Sequence, residues 1–342
     1  MNKIKVLLTG GCGFIGHHFV EHFIKNTDWD IVIFDRLDYA SIGFDRLRDI
    51  DCFNKERVKI LTADLTSNFG EGLKKEIGDI DYILHLGANT HVDNSIKAPL
   101  QFVKDNVEGT VNLLEFAREL PNLKKFLYFS TDEVFGPAPE GINYKEGDRH
   151  NPGNPYAASK AAAEDFCIAY ANTYKMPIII TNTMNVIGER QHPEKFVPMV
   201  IRKAINNELV HIHSDKDCNK AGSRFYIHAR NVADAIMLIL KQEEMLDIHD
   251  VTKGKFNIVG EKEIDNLQLA RLIAKHLDKK LKYDLIDFHS SRPGHDLRYA
   301  LDGDKMKSLG WELPLNLQQS LYKTIDWSIK NSKWLDASIS KF

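Results

Sequence analysis

The chain has 342 residues, 43% hydrophobic and 27% charged, an ordinary globular composition that excludes a chain dominated by disorder. A formal net charge of -3 gives no general attraction for nucleic acid or an anionic membrane surface, so an anionic ligand has to meet local cations. The four cysteines, Cys12, Cys52, Cys167 and Cys218, are widely spaced and form no C-x-x-C pair, which suggests neither a disulfide framework nor a zinc site.

The first apolar run, in "MNKIKVLLTGGCGFIG", is too short for a signal-peptide core or a spanning helix and predicts a soluble, cytoplasmic protein. From there one rhythm repeats. "IKVLLTG" leads to the helical "FIGHHFVEHFIKN", followed by "DIVIFD", "VKILTADL", "IDYILHLGA", the helical "FVKDNVEGTVNLLEFAREL" and "KKFLYFST". Continuous β-rich runs alternating with amphipathic helices predict an α/β fold with a doubly wound parallel sheet covered on both faces. "YAASKAAAEDFCIAYANTY" reads as a further long helix and "MPIIITNTMNVIG" as one more buried strand. Past Gly188 the pattern loosens into a smaller mixed α/β region, with the polar insert "SDKDCNKAGS" and a final helical "LNLQQSLYKTIDWSIKN". No linker composition separates independent domains, and two lobes sharing one cleft are expected.

"TGGCGFIG" follows the first strand and opens the first helix, with Gly10, Gly13 and Gly16 in a G-x-x-G-x-x-G spacing. Such glycines permit a tight turn, let backbone approach a pyrophosphate and aim a helix N-terminus at it, with Phe14 and Ile15 in the first turn. The next strand ends on Asp35, about twenty residues on, where a carboxylate accepts from an adenosine ribose and repels a 2'-phosphate. NAD is therefore expected over NADP, a preference that Arg36 weakens; Leu37 and Asp38 continue the same turn. Asp64 and Leu65 close another strand within reach of the adenine.

"NPYAASK" places Tyr156 and Lys160 four apart on one helix face. Alone that spacing describes an exposed helix pair. Behind a dinucleotide site it describes a base whose phenolate a neighbouring ammonium stabilises, with the lysine also able to reach a nicotinamide ribose. In "FSTDEVFG", Asp132 and Glu133 stand side by side where an apolar strand ends, which by itself is also compatible with a solvated loop pair.

With "TGGCGFIG", "HLGANTHVDNS", "NVEGTVNLLEFA", "STDEVFG", "PYAASK", "NVIGERQHPEKFVP", "SRFYIHARNVADA" and "RPGHDLRYALD", the chain resembles, over nearly its whole length, the extended short-chain dehydrogenase/reductase family and within it the nucleotide-sugar 4,6-dehydratases of the dTDP-glucose type. The resemblance implies a Rossmann-type NAD-binding domain over 1–184 with a returning segment at about 225–255, and a nucleotide-sugar-binding region over 185–224 and 256–342. It adds Leu86, Gly87, Ala88 and Val186 to the cofactor contacts.

For catalysis the resemblance implies that Tyr156 takes the 4-hydroxyl proton with Thr131 bonded to that oxygen, that Glu133 removes the carbon 5 proton, and that a protonated Asp132 releases the 6-hydroxyl as water. Substrate contacts implied in the same way are His91, Asn185, Glu194, Lys195, Phe196, His211, Ile212, His213, Arg224, Asn257, Arg292 and His295, together with Thr131, Asp132 and Glu133. His211 and His213 share a strand face, but no third ligand is evident and no metal is expected. A homodimer is implied through a four-helix bundle of Val103–Glu119 and Ala157–Tyr174, with Val107, Val111, Leu114, Phe166 and Tyr170 at helical spacing.

Asn89 and Asn94 stand where such dehydratases carry an acid and an arginine, which puts dTDP-glucose itself in question and leaves UDP-glucose or UDP-N-acetylglucosamine open. The competing readings are a nucleotide-sugar epimerase or decarboxylase, a 5,6-dehydratase that releases an alkene, and a non-catalytic dinucleotide sensor. The acid pair argues against the first. The combination of Thr131, Tyr156 and Lys160 argues against the last.

Overall fold

A computed structural model describes residues 3–242, 251–287 and 297–339. Seven strands form one parallel sheet in the order β10-β6-β5-β4-β1-β2-β3: β1 (Lys5–Thr9), β2 (Asp30–Asp35), β3 (Val58–Thr62), β4 (Tyr82–His85), β5 (Lys125–Thr131), β6 (Ile178–Thr183) and β10 (Lys255–Ile258). The order reverses between β1 and β4, where Thr9 pairs with His85, and in open α/β sheets ligands bind outside the carboxyl ends of the strands at such a point.

Alternation along β1 assigns its side chains to two cores. Val6 and Leu8 face the layer that holds Phe19 and Phe23 of helix Phe14–Asn26 and Val232 and Ile236 of helix Ala229–Lys241. Leu7 faces Leu113, Leu114 and Phe116 of helix Gly109–Arg118 and Ala163 and Cys167 of helix Pro155–Tyr174. Strands buried on both faces must be apolar throughout, which is why the first half reads as uninterrupted hydrophobic runs.

Three expectations need correction. "MPIIITNTMNVIG" is two strands: β6 ends at Thr183, and after Met184 the chain joins β7 (Asn185–Ile187) of a separate sheet, β11-β9-β7, with β9 (Ser223–His228) and β11 (Glu263–Asp265). "FVKDNVEGTVNLLEFAREL" is interrupted, because Val103–Glu108 is a π-helix between Pro99–Phe102 and Gly109–Arg118. The chain that returns to the large sheet includes all of β10 and runs to Ile258, because β10 pairs with β6, past the boundary expected at 255.

The remaining region has its own core, in which helix Phe196–Ile205, helix Asn266–His276 and helix Leu317–Lys330 bury Val200, Ile273 and Leu321. A two-stranded parallel sheet, β8 (Val210–Ser214) with β12 (Tyr283–Asp287), completes it. Among the described residues no helix is long and apolar enough to cross a membrane.

Candidate active site

One cavity runs along the carboxyl ends of β1, β2, β4, β5 and β6 and holds most of the residues singled out above. Its dinucleotide end is lined by Gly10, Gly13, Phe14, Ile15, Gly16, Asp35, Arg36, Asp38, Asp64, Leu65, Leu86, Gly87 and Ala88. Gly16 cannot carry a side chain, because a Cβ there would stand 2.1 Å from the Gly10 carbonyl oxygen. The helix N-cap is Gly13, which brings no side-chain oxygen to the first-turn amides, so these N–H groups face the cavity as a ready anion site. Asp35 is fixed by the N–H groups of Cys12 at 2.9 Å and Leu37 at 2.8 Å and by the Ser41 hydroxyl at 3.2 Å. Leu37 acts through this amide, at φ +59. The donor set suits a dinucleotide: free helix-end amides for a pyrophosphate and an anchored carboxylate for a ribose diol.

The other end belongs to β5 and helix Pro155–Tyr174. Thr131 ends β5 and caps the 3-10 turn Asp132–Phe135, its hydroxyl accepting from the Glu133 N–H and donating to Asp132 Oδ1 at 3.0 Å. Gly136 closes that turn at φ +73, and a Cβ there would stand 2.1 Å from the Asn151 carbonyl oxygen. The turn needs glycine. Asp132 is buried, and Oδ2 has no hydrogen-bond partner among the described residues. Burial first, then the charge of Glu133, pushes its carboxyl up to about 7, so it holds a proton near neutrality.

Tyr156 and Lys160 are both buried and line the same cavity. Tyr156 is hydrogen-bonded to the Thr131 side chain, yet burial and then Glu133 push the phenol well above its ordinary value. The expected lowering by Lys160 is not seen, because its ammonium donates to the Phe129 carbonyl at 2.7 Å and lies 4.2 Å over the Tyr128 ring. Burial pulls the Lys160 ammonium down to about 7.

Of the expected sugar-nucleotide residues, Asn185, Glu194 and Lys195 line the cavity, as does Val186. His91 lies 3.8 Å from Glu194. Arg224 donates to the carbonyls of Ser223 and Leu297, lies over the Tyr299 ring and acts electrostatically on Asp132. Phe196 opens its helix and packs on the C-terminal core. His211, Ile212 and His213 lie on β8, off the cavity, with Ile212 in the C-terminal core. Asn257 is also off it: fully buried on β10, it donates to the Glu146 carboxylate and the Tyr144 carbonyl and ties that edge strand to the loop after β5. Arg292 and His295 lie outside the described residues. No group of three metal-ligating side chains occurs among the described residues.

Sequence reasoning missed several residues in or behind the cavity wall. Asn154 accepts from the Ala157 N–H as helix N-cap and donates to Glu133 Oε2 at 2.9 Å; the Asn-Pro pair was its visible signal. Asp105 and His192 line the cavity itself, placed there by the π-helix and by the loop after β7.

A parallel sheet with a glycine loop at its switch point, and with Thr131, Asp132, Glu133, Tyr156 and Lys160 on the same cavity, defines a nucleotide-sugar enzyme of the extended short-chain dehydrogenase/reductase class. The chain belongs to the family described as GDP-mannose 4,6 dehydratase, whose model matches residues 7–324. It is 34% identical over 360 residues to a dTDP-glucose 4,6-dehydratase of Escherichia coli, covering 97% of this chain and 95% of that one. It is also 34% identical over 333 residues to the trifunctional UDP-glucose 4,6-dehydratase/UDP-4-keto-6-deoxy-D-glucose 3,5-epimerase/UDP-4-keto-L-rhamnose-reductase of Arabidopsis thaliana, where it spans 96% of itself and 48%, about half, of the relative. Among solved structures it is similar to DesIV, the dTDP-glucose 4,6-dehydratase of Streptomyces venezuelae with NAD and TYD bound, at a TM-score of 0.84 and 29% identity over 97% of this chain and 99% of that one.

Proposed function

We propose that this protein converts a nucleoside-diphosphate hexose of the glucose type to its 4-keto-6-deoxy product, with NAD as resident cofactor. The observation that carries the reading is the buried Asp132 beside Glu133, its Oδ2 without a hydrogen-bond partner among the described residues and its carboxyl pushed up by burial, on the cavity that also holds Tyr156 and the glycine loop. When bound, NAD supplies the acceptor for hydride from sugar carbon 4 and its return to carbon 6. The first-turn amides of Phe14–Gly16 would hold its pyrophosphate and Asp35 its adenosine ribose, with Asp64 and Leu65 beside the adenine. Lys160 would hold the nicotinamide ribose.

The chain's own residues divide the proton chemistry. Tyr156 would take the 4-hydroxyl proton as the phenolate, a form that the positive charges of Lys160 and of bound NAD would favour against burial, while Thr131, bonded to the phenol, shares the alkoxide oxygen. A ketone at carbon 4 acidifies the hydrogen on carbon 5. Glu133, oriented by Asn154, removes that proton, Asp132 donates its own to the 6-hydroxyl, which leaves as water, and Glu133 gives its proton back to carbon 5 as carbon 6 is reduced. Asn185, Glu194 and Lys195 then lie against the sugar nucleotide, and Arg224 contributes positive potential beside Asp132.

A homodimer fits the surface. Leu100, Val103 and Phe166 are exposed on the adjoining helices, with Val107, Val111 and Tyr170 half-buried beside them, a stripe that a second copy would cover. Leu114 belongs to the monomer core. A reaction drawing on NAD and a nucleotide sugar belongs in the cytoplasm.

Incubation with dTDP-glucose, UDP-glucose and UDP-N-acetylglucosamine, read by mass and NMR, tests the reading. Loss of one water with a new methyl signal and no accumulated NADH supports it. Epimerised product, a released alkene or free NADH in proportion to product overturns it. Light scattering at micromolar concentration tests the dimer.

A further inference from the structure

The residue after Asp35 is a cation on the adenosine side of the cavity, and an arginine there is the group that accommodates a 2'-phosphate. Arg36 is not held ready for one. Its Nη1 donates to Asp105 Oδ1 at 2.8 Å and its Nη2 to Asp105 Oδ2 at 3.1 Å, with Asp38 at 3.5 Å and Asp64 at 3.8 Å. A two-point pairing of guanidinium and carboxylate is the strong, geometrically specific form of this contact. The Arg36 side chain is 30% exposed and that of Asp105 only 4%, so the anchor is fixed and the cation rests on the cavity wall.

Asp105 owes its position to the π-helix Val103–Glu108, which turns both Asp105 and Asn106 into the interior; such interruptions recur at functional sites. Asn89 Nδ2 and Gln101 Nε2 donate to the same carboxylate at 2.7 and 2.9 Å. Asn106 holds the Asn89 backbone on both sides, by its Oδ1 at 2.7 Å and its Nδ2 at 3.0 Å. The carboxylate is thus braced by Asn89 on one oxygen and Gln101 on the other, with each oxygen also accepting from Arg36.

We propose that Asp105 is a specificity-determining residue for the cofactor: by holding Arg36 against the wall it withdraws the cation a 2'-phosphate needs and leaves Asp35, Asp38 and Asp64 to repel that phosphate. The proposal rests on the dinucleotide-binding reading above and deepens it. It reverses the expectation that Arg36 relaxes the preference for NAD.

Titration calorimetry of the cofactor-free protein with NAD and with NADP gives the ratio of the two affinities. Wild type binds NAD and binds NADP at least about a hundredfold more weakly, since both the unavailable cation and the repelling carboxylates act against the phosphate. Asp105→Asn narrows that ratio by about tenfold or more, because one charged hydrogen-bonded partner is exchanged, and Asp105→Asn with Arg36→Gln restores it. Arg36→Gln alone does not narrow the ratio, because it removes no group that serves the phosphate and uncovers Asp38, Asp64 and Asp105.

If Asp105→Asn binds NAD, melts cooperatively and keeps the wild-type ratio, the proposal fails while the dinucleotide site stands. If Asp105→Asn with Arg36→Gln keeps the narrowed ratio of Asp105→Asn, the released cation is not what NADP gains and the proposal is overturned. Failure of wild type to bind either dinucleotide overturns both this inference and the reading beneath it.

Discussion

Thr131 donates its hydroxyl to Asp132 Oδ1 at 3.0 Å, while Oδ2 of the same carboxyl is buried with no hydrogen-bond partner among the described residues. A buried carboxyl satisfied on one side only is stable as the acid, and burial with Glu133 beside it raises the carboxyl from 3.8 to about 7. Asp132→Asn keeps the shape and removes the proton, and water loss from bound substrate is expected to slow by about a hundredfold or more.

The same shift has a stability consequence of opposite sign. Between pH 3.8 and about 7 the folded protein binds more protons at Asp132 than the unfolded chain, so this residue lowers stability as pH rises through that window. Asp132→Asn is therefore expected to melt higher than wild type at pH 8 and to show no such gain at pH 4. Thermal unfolding at the two pH values checks it.

Glu133 depends on Asn154, which also caps the helix that carries Tyr156. Asn154→Ala loses both contacts and is expected to cost about 1 kcal/mol as a lost cap and to slow exchange of solvent deuterium into carbon 5. Asn154→Ser keeps a capping oxygen but not the donor to Glu133. It should recover the stability and leave the exchange slow, which separates the two roles by melting and by NMR.

Glu164 is fully buried and ion-paired with Lys255, with His150 at 3.0 Å and Asn182 at 3.1 Å. Burial alone would raise its carboxyl, but the His150 hydrogen bond and the Lys255 charge outweigh it and hold the group at about 2. The stabilisation is present above pH 4.5 and lost as pH falls towards 2. Lys255→Met strands the charge and is expected to cost about 3 to 5 kcal/mol in denaturant unfolding. Lys255→Met with Glu164→Gln should recover part of that loss and flatten the acid limb.

Gly136 closes the acid-pair turn with positive φ and no room for a Cβ. Gly136→Ala is expected to destabilise by about 2 kcal/mol or more. Because Thr131, Asp132 and Glu133 sit on that turn, the drop in turnover should exceed what the unfolded fraction explains. Activity measured well below the melting temperature tests this.

What the sequence determined by itself is what short-range patterns encode. Uninterrupted β-rich runs specified strands buried on two faces, and the glycine spacing after β1 specified a close approach that no side chain permits. Tyr156 and Lys160 could be picked out by their spacing behind the glycine loop, whereas Thr131, Asp132 and Glu133 stood out at the end of a strand and took their roles from the family resemblance. Tertiary structure decided whatever depends on which segments meet. Asp105 reads as a solvated helix acid until a π-turn rotates it inward against Arg36, 69 positions away. Asn257 looked like a substrate contact, but pairing of β10 with β6 fixes it inside the sheet edge. The direction of the Tyr156 shift was likewise beyond the sequence, since helix spacing puts Lys160 on the same face as Tyr156 whereas burial and the neighbouring Glu133 set the phenol's charge balance. Periodicity and turn chemistry are properties of neighbouring residues, while burial and ion pairing across the sheet arise only when distant segments pack together.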